Sequence, residues 1–131
     1  VGTNNNDVRV AIRGGAVIMV NVDASAPNYN GFVARMSFAN GALVWQTPIA
    51  SALFGAAFDA TGNTFVVRQD ASYAFSLERL TFSTGALEWS IGSLPHIRPR
   101  IAHDPIAERT FLVNDVSVTS APDMVRISAF E

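Results

Sequence analysis

The stretch with the densest potential chemistry is "PHIRPRIAHD", Pro95–Asp104. His96, Arg98 and Arg100 alternate with Ile97, Pro99 and Ile101. An extended chain would therefore set three potential cations on one face and an apolar strip on the other. Arginine on such a face suits bidentate contact with a carboxylate or phosphate. The rival reading is an exposed connector whose arginines are solvated or paired with acids. Pro95 and Pro99 favour the connector for the early part, and charge runs usually are solvated faces. The alternation predicts that this face meets an anionic group, either a ligand or an acidic side chain of a neighbouring segment.

No other residues gather in a pattern that does chemistry. Asp23 and Asp70 each precede Ala-Ser, and Asp59 and Asp104 each open a turn. Calcium needs several oxygens converging on one point, and the only local cluster is "NNND" at Asn4–Asp7. The histidines are His96 and His103, and even with Asp104 they stand at no standard zinc spacing. Neither lies in a nucleophile-elbow context, so no Ser-His-Asp arrangement is inferred. The sequence thus assigns no catalytic residue, metal or cofactor, and reads as non-enzymatic.

Composition sets the bounds on any function. The 131 residues are 49% hydrophobic and 15% charged, enough for one domain with a core and too apolar for a disordered tail. The longest apolar run, Ala16–Val20, is strand-sized and far from the roughly 20 residues of a membrane span. A formal net charge of -2 argues against a general nucleic-acid binder, which needs surplus cations over phosphate. Absence of cysteine removes disulfides and thiolate metal sites. All nine basic residues are arginine, which reads as the codon bias of a GC-rich genome. The first residue is Val1, with no visible signal peptide, and suggests a processed product or a piece of something longer.

The elements that position these residues come from a repeat. "FVARMSFANGALVWQ" (Phe32–Gln46) matches "SLERLTFSTGALEWS" (Ser76–Ser90). Gly41, Leu43 and Trp45 correspond to Gly85, Leu87 and Trp89, the last pair being the chain's only tryptophans. Upstream, "VAIRGGAVIMVNVDAS" precedes the first copy and "AAFDATGNTFVVRQDAS" the second, both ending in Asp-Ala-Ser. A third copy starts at "RIAHDPIAERTFLVND", where "TFLV" echoes "TFVV", and "MVRISAFE" echoes "LERLTFST". The period is on the order of 45 residues, the range of propeller blades.

Each unit reads as four short strands, in the second unit roughly Leu53–Phe58, Thr64–Arg68, Tyr73–Phe82 and Ala86–Ser90. Asp59–Asn63 and Ser83–Gly85 are turns, with Gly62 and Asn63 suited to positive φ, and Asn40-Gly41 is a hairpin signal. "AVIMV", "TFVV" and "TFLV" are uninterrupted apolar strands, which implies cover on both faces. No long segment has a 3.6-residue stripe, so essentially no helix is expected. The expected fold is all-β, a partial β-propeller of three four-stranded blades (approximately 8–47, 53–90 and 98–130). The last lacks its outer strand. Leu and Trp of each Gly-x-Leu-x-Trp strand are expected to pack between blades, both indoles buried at equivalent positions. The alternative makes the tryptophans sugar-stacking platforms.

At these residues the chain resembles the bacterial SBBP-type β-propeller repeat, kin to the quinoprotein (PQQ-like) repeat. Its pattern is an apolar strand, Asp-x-x-Gly-Asn, an apolar strand, a third strand, then Gly-x-Leu-x-Trp. Asp59, Gly62, Asn63, Gly85, Leu87 and Trp89 match it, as do Gly41, Leu43 and Trp45. The first unit has Arg13-Gly14-Gly15 instead of Asp-x-x-Gly-Asn. The third keeps Asp104 but reads "PIAERT", and lacks the Gly-x-Leu-x-Trp strand. The resemblance implies a secreted or surface-associated bacterial protein, extracellular or periplasmic, and an innermost first strand. That would put His96, Arg98 and Arg100 at the channel edge.

The function expected is a non-catalytic structural or interaction module, with other chains or further blades as partners. Closed propellers have about 4–8 blades, so this chain is expected not to close alone and to expose an apolar face at each end. One alternative is a carbohydrate-binding propeller using loop aromatics such as Tyr29 and Phe32. The other is a fragment of a quinoprotein-like enzyme.

Overall fold

The computed structural model describes residues 6–23, 31–49, 52–70, 72, 74–94, 100–104, 106–116 and 124–130. Among them the protein is all-β, without helix, in three antiparallel sheets. Sheet one runs β1 (Asn6–Arg13), β2 (Ala16–Asp23), β3 (Gly31–Ser37) and β4 (Leu43–Ile49), each strand beside the next. Sheet two repeats that order with β5 (Ala52–Phe58), β6 (Thr64–Gln69), β7 (Phe75–Leu80) and β8 (Leu87–Leu94). Sheet three has β9 (Arg100–Asp104), β10 (Arg109–Val116) and β11 (Met124–Phe130). Among the described residues no helix is long and apolar enough to cross a membrane.

Local chemistry explains the hairpins. Gly14 and Gly15, both at positive φ (52° and 69°), make the two-residue turn that matches strand twist between β1 and β2. The β3–β4 and β7–β8 turns are one device built twice. Gly41 N–H donates to the Ser37 carbonyl (2.9 Å) and Gly85 N–H to the Thr81 carbonyl (2.8 Å). Both glycines sit at φ 70°, in the left-handed region that a side chain disfavours. The preceding residue's side chain caps Ala42 or Ala86, from Asn40 Oδ1 and Thr84 Oγ1 respectively.

Sheet two lies between the other two. One core joins Ile18, Val20, Val33 and Ile49 of sheet one to Ala56, Val66 and Leu80 of sheet two. The other joins Phe65, Val67, Phe75 and Leu77 of sheet two to Ile101 and Leu112 of sheet three. Thr64–Val67 are all buried because β6 feeds both cores with alternate side chains, Val66 into the first, Phe65 and Val67 into the second.

Four details differ from the sequence-based expectations. Leu43 and Leu87 are 59% and 55% exposed rather than packed with the tryptophans. Pairing runs Arg35↔Trp45 but Met36↔Leu43, and Arg79↔Trp89 but Leu80↔Leu87. The bulge in each strand puts Leu and Trp on opposite faces, although residues two apart normally share one. Both indoles are half-buried, Trp45 against the first core and Trp89 against the second. In sheet three, Phe130, not Ile127, lies opposite Thr110, as Leu80 lies opposite Thr64. Arg126 pairs with Asn114 in the register, so it does not take the position of Arg79, which pairs with Phe65. Phe32 is no loop aromatic: it is half-buried in β3 opposite Pro48. Tyr29 lies outside the described residues.

Candidate functional site

The polar architecture centres on Asp59, only 1% exposed. As the residue after β5 it takes the turn's donors: Oδ1 accepts from Thr61 N–H (2.9 Å), the Thr61 hydroxyl (2.7 Å) and Asn63 N–H (2.9 Å). Oδ2 accepts from Asn63 Nδ2 (2.8 Å) and Arg79 Nη2 (2.9 Å). Burial pushes the carboxyl up, but bonds from Arg79, Thr61 and Asn63 outweigh it and hold the pKa at about 2. Asn63 passes the connection on, its Oδ1 accepting from Phe82 N–H (2.8 Å). Arg79 also reaches Glu88 (2.8 Å).

Phe82 is the point where sheet one grips sheet two. The Arg35 guanidinium lies 3.8 Å from its ring centroid, a cation–π contact. Trp45 Nε1–H donates to the Phe82 carbonyl (3.0 Å), and the Thr47 hydroxyl to the Gly85 carbonyl (2.7 Å). The ring lies so close to Gly62 (φ 94°) that a Cβ there would fall 2.6 Å from Phe82 Cδ2. A Cβ on Gly85 would meet the Trp45 ring and come 2.6 Å from the Thr47 hydroxyl. Gly85 is therefore where sheet one lands.

At the corresponding place between sheets two and three there is a cavity of about 220 Å³. Phe65 and Trp89 give its apolar wall, and Arg79, His103, Glu108 and Thr110 its polar lining. His103 stacks on Phe65, ring centroids 5.0 Å apart, and its Nδ1 bonds the Thr110 hydroxyl at 3.0 Å. Its side chain is 2% exposed, and the Glu108 carboxylate stands 3.6 Å from Nε2. Neither His103 Nε2 nor Arg79 Nε has a hydrogen-bond partner among the described residues.

The chain matches no protein-family model and no curated protein. What the site can do rests on its own geometry.

His96 and Arg98 lie outside the described residues. Arg100 opens β9 opposite Val113, and its side chain is not among those described. The anion-binding face stays an expectation. Asp104 caps its own turn through Ile106 N–H (2.8 Å) and Ala107 N–H (3.3 Å), which hold its carboxyl below the ordinary range. No group of three or more His, Cys, Asp or Glu among the described residues is placed to hold a metal. Asn4 and Asn5 of the "NNND" cluster lie outside them, and Asn6 and Asp7 belong to β1.

From sequence, His103 was weighed as a zinc ligand and Asp59 as a turn residue, and Glu108 and Thr110 were not singled out. The available signal was "PIAERT": aligning Thr110 with Thr64 sets Glu108 against Gly62, a charged residue where the repeat keeps glycine.

Proposed function

We propose that the chain is a non-catalytic interaction module, three successive blades of a β-propeller in an exported or surface-associated protein. The observation that carries this reading is the free face of sheet one. Ile12, Val17, Met36 and Leu43 form one cross-strand row, and Val10, Met19 and Ala34 the next. The matching rows of sheet two, Phe58–Thr64–Leu80–Leu87 and Ala56–Val66–Glu78, are largely buried beneath sheet one. On sheet one itself Val10 and Ile12 are 58% and 57% exposed, and Phe38, the counterpart of Phe82, is 62% exposed. Gly41 repeats the turn of Gly85, yet a Cβ there would meet nothing within 4 Å. Apolar surface of this kind marks an interaction face.

The occupant that fits is another four-stranded unit presenting an arginine and a tryptophan at the positions of Arg35 and Trp45. A second copy of this chain has both of its tryptophans already packed against its own cores, so the partner is a further blade from elsewhere. The resemblance of the repeat to SBBP-type propellers supports the blade assignment and the exported setting. Fusing a second copy of residues 6–49 ahead of the chain tests it. The added unit should raise the melting temperature and make Phe38→Ala costly, where it is nearly neutral in the original chain. Unchanged stability in the fusion, with Phe38→Ala neutral in both, would refute the reading.

A further inference from the structure

We infer that the cavity between sheets two and three is a binding site for a neutral, hydroxyl-rich ligand the size of a single sugar ring. The first ground is how the repeat departs from itself there. At the sheet one–sheet two interface the space beside the arginine and tryptophan is filled by Phe82, which rests on Gly62. In the third unit Glu108 occupies the position of that glycine. By register Phe130 stands at the place of Leu80, so none of the described residues of sheet three takes the place of Phe82, and Glu108 brings a carboxylate where the repeat keeps a bare backbone.

The second ground is strain. Glu108 keeps the left-handed backbone of its glycine counterpart, at φ 52°, and is the sole non-glycine residue at positive φ among those described. Such a conformation costs a side-chain-bearing residue free energy, and such residues cluster at sites of function. Here it holds a carboxylate on the cavity lining, 3.6 Å from His103 Nε2.

The third ground is a group left over. His103 Nε2 is a buried ring nitrogen without a hydrogen-bond partner among the described residues. Leaving such a group unpaired is costly. A hydroxyl both donates and accepts: it accepts from His103 Nε2–H while donating its one hydrogen to Glu108, or donates that hydrogen to Nε2 in the other tautomer. Trp89 supplies the apolar surface on which the C–H face of a pyranose packs.

Charge and size narrow the class. Arg79 is already paired with Asp59 (2.9 Å) and Glu88 (2.8 Å), so little positive charge remains for an anion. No group of three or more His, Asp or Glu among the described residues is placed to hold a metal cation. The volume of about 220 Å³ lies below the roughly 300–1,000 Å³ of sites for drug-sized ligands. Only sheets two and three build the cavity, so this inference is independent of whether another blade covers sheet one.

The test uses D-glucose, D-galactose, D-mannose and N-acetyl-D-glucosamine as probes. Saturation-transfer NMR on the native chain reads binding directly. Fluorescence of a Trp45→Phe chain isolates Trp89. At least one sugar should bind with a millimolar dissociation constant and change Trp89 emission. Glu108→Gly, which removes the strained backbone together with the carboxylate, should weaken that binding at least tenfold while the chain melts no lower. His103→Phe should weaken it as well. No signal from any of the four sugars at tens of millimolar would overturn the assignment. So would binding that survives Glu108→Gly unchanged.

Discussion

The two interfaces of sheet two are built to one plan and finished differently. Toward sheet one, an arginine, a tryptophan and a threonine close over Phe82 and Gly85: the guanidinium lies on the ring, and the indole N–H and the hydroxyl donate to carbonyls. Toward sheet three, the matching Arg79 turns to Asp59 and Glu88, and a cavity stands where the aromatic would be. The third unit departs from the plan in three described ways: it has three strands, its β10–β11 register is shifted, and Glu108 stands where the second unit has Gly62.

Truncation of the tryptophans gives the widest separation between the two joints. Trp45→Ala removes a half-buried indole, its hydrogen bond and its contact with Gly85, and should cost about 3–5 kcal/mol. Trp89→Ala enlarges an existing cavity and should cost about 2 kcal/mol less. Equal losses in urea melts would mean that the joints are energetically alike.

Next come the paired glycines. Gly85→Ala adds a methyl group into the Trp45 ring and should cost about 2–4 kcal/mol. Gly41→Ala, at the same φ of 70° with open space around it, should cost only the backbone term of about 1 kcal/mol. If the two variants melt together, sheet one does not land on the Gly85 turn.

The Asp59 carboxyl supplies a pH dependence. Its folded pKa of about 2 lies below the 3.8 of the unfolded chain. Its contribution, about 2 kcal/mol, is complete above pH 4 and lost as pH falls toward 2. Asp59→Asn should flatten the stability profile over that window. A variant with an unchanged acid limb would assign the dependence to other carboxyls.

Smallest is Glu108→Gly. Releasing a left-handed φ of 52° should raise stability by up to about 1 kcal/mol, net of the glycine's extra chain entropy. A marked loss would mean that the Glu108–His103 contact holds sheet three in place.

Much of the architecture was legible because it is local. Hairpin glycines, the Asp59–Asn63 turn and the apolar run of β6 each reflect constraints within a few residues. The exposed faces of Leu43 and Leu87 were not legible, because a bulge is set by the partner strand's register and inverts every face assignment beyond it. The shift of Phe130 was hidden for a related reason: which residues stand opposite one another is fixed only when the strands pair. The cavity escaped because its lining comes from the turn after β5, from β6 to β10 and from the β9–β10 turn, and no spacing along the chain brings these residues together. Asp59 and Arg79 were visible as repeat positions, but their ion pair was not.

The double burial of β6 has a consequence for how the protein comes apart. Sheets one and three each have one described neighbour, whereas sheet two has two. In a linear stack, opening an end unit breaks one contact surface, and opening the middle breaks both. The outer sheets should fray independently, while amides of Thr64–Val67 exchange with solvent only in whole-molecule unfolding. Sheet two then acts as the keystone on which either end can loosen, exchange partners or admit a ligand without the other responding.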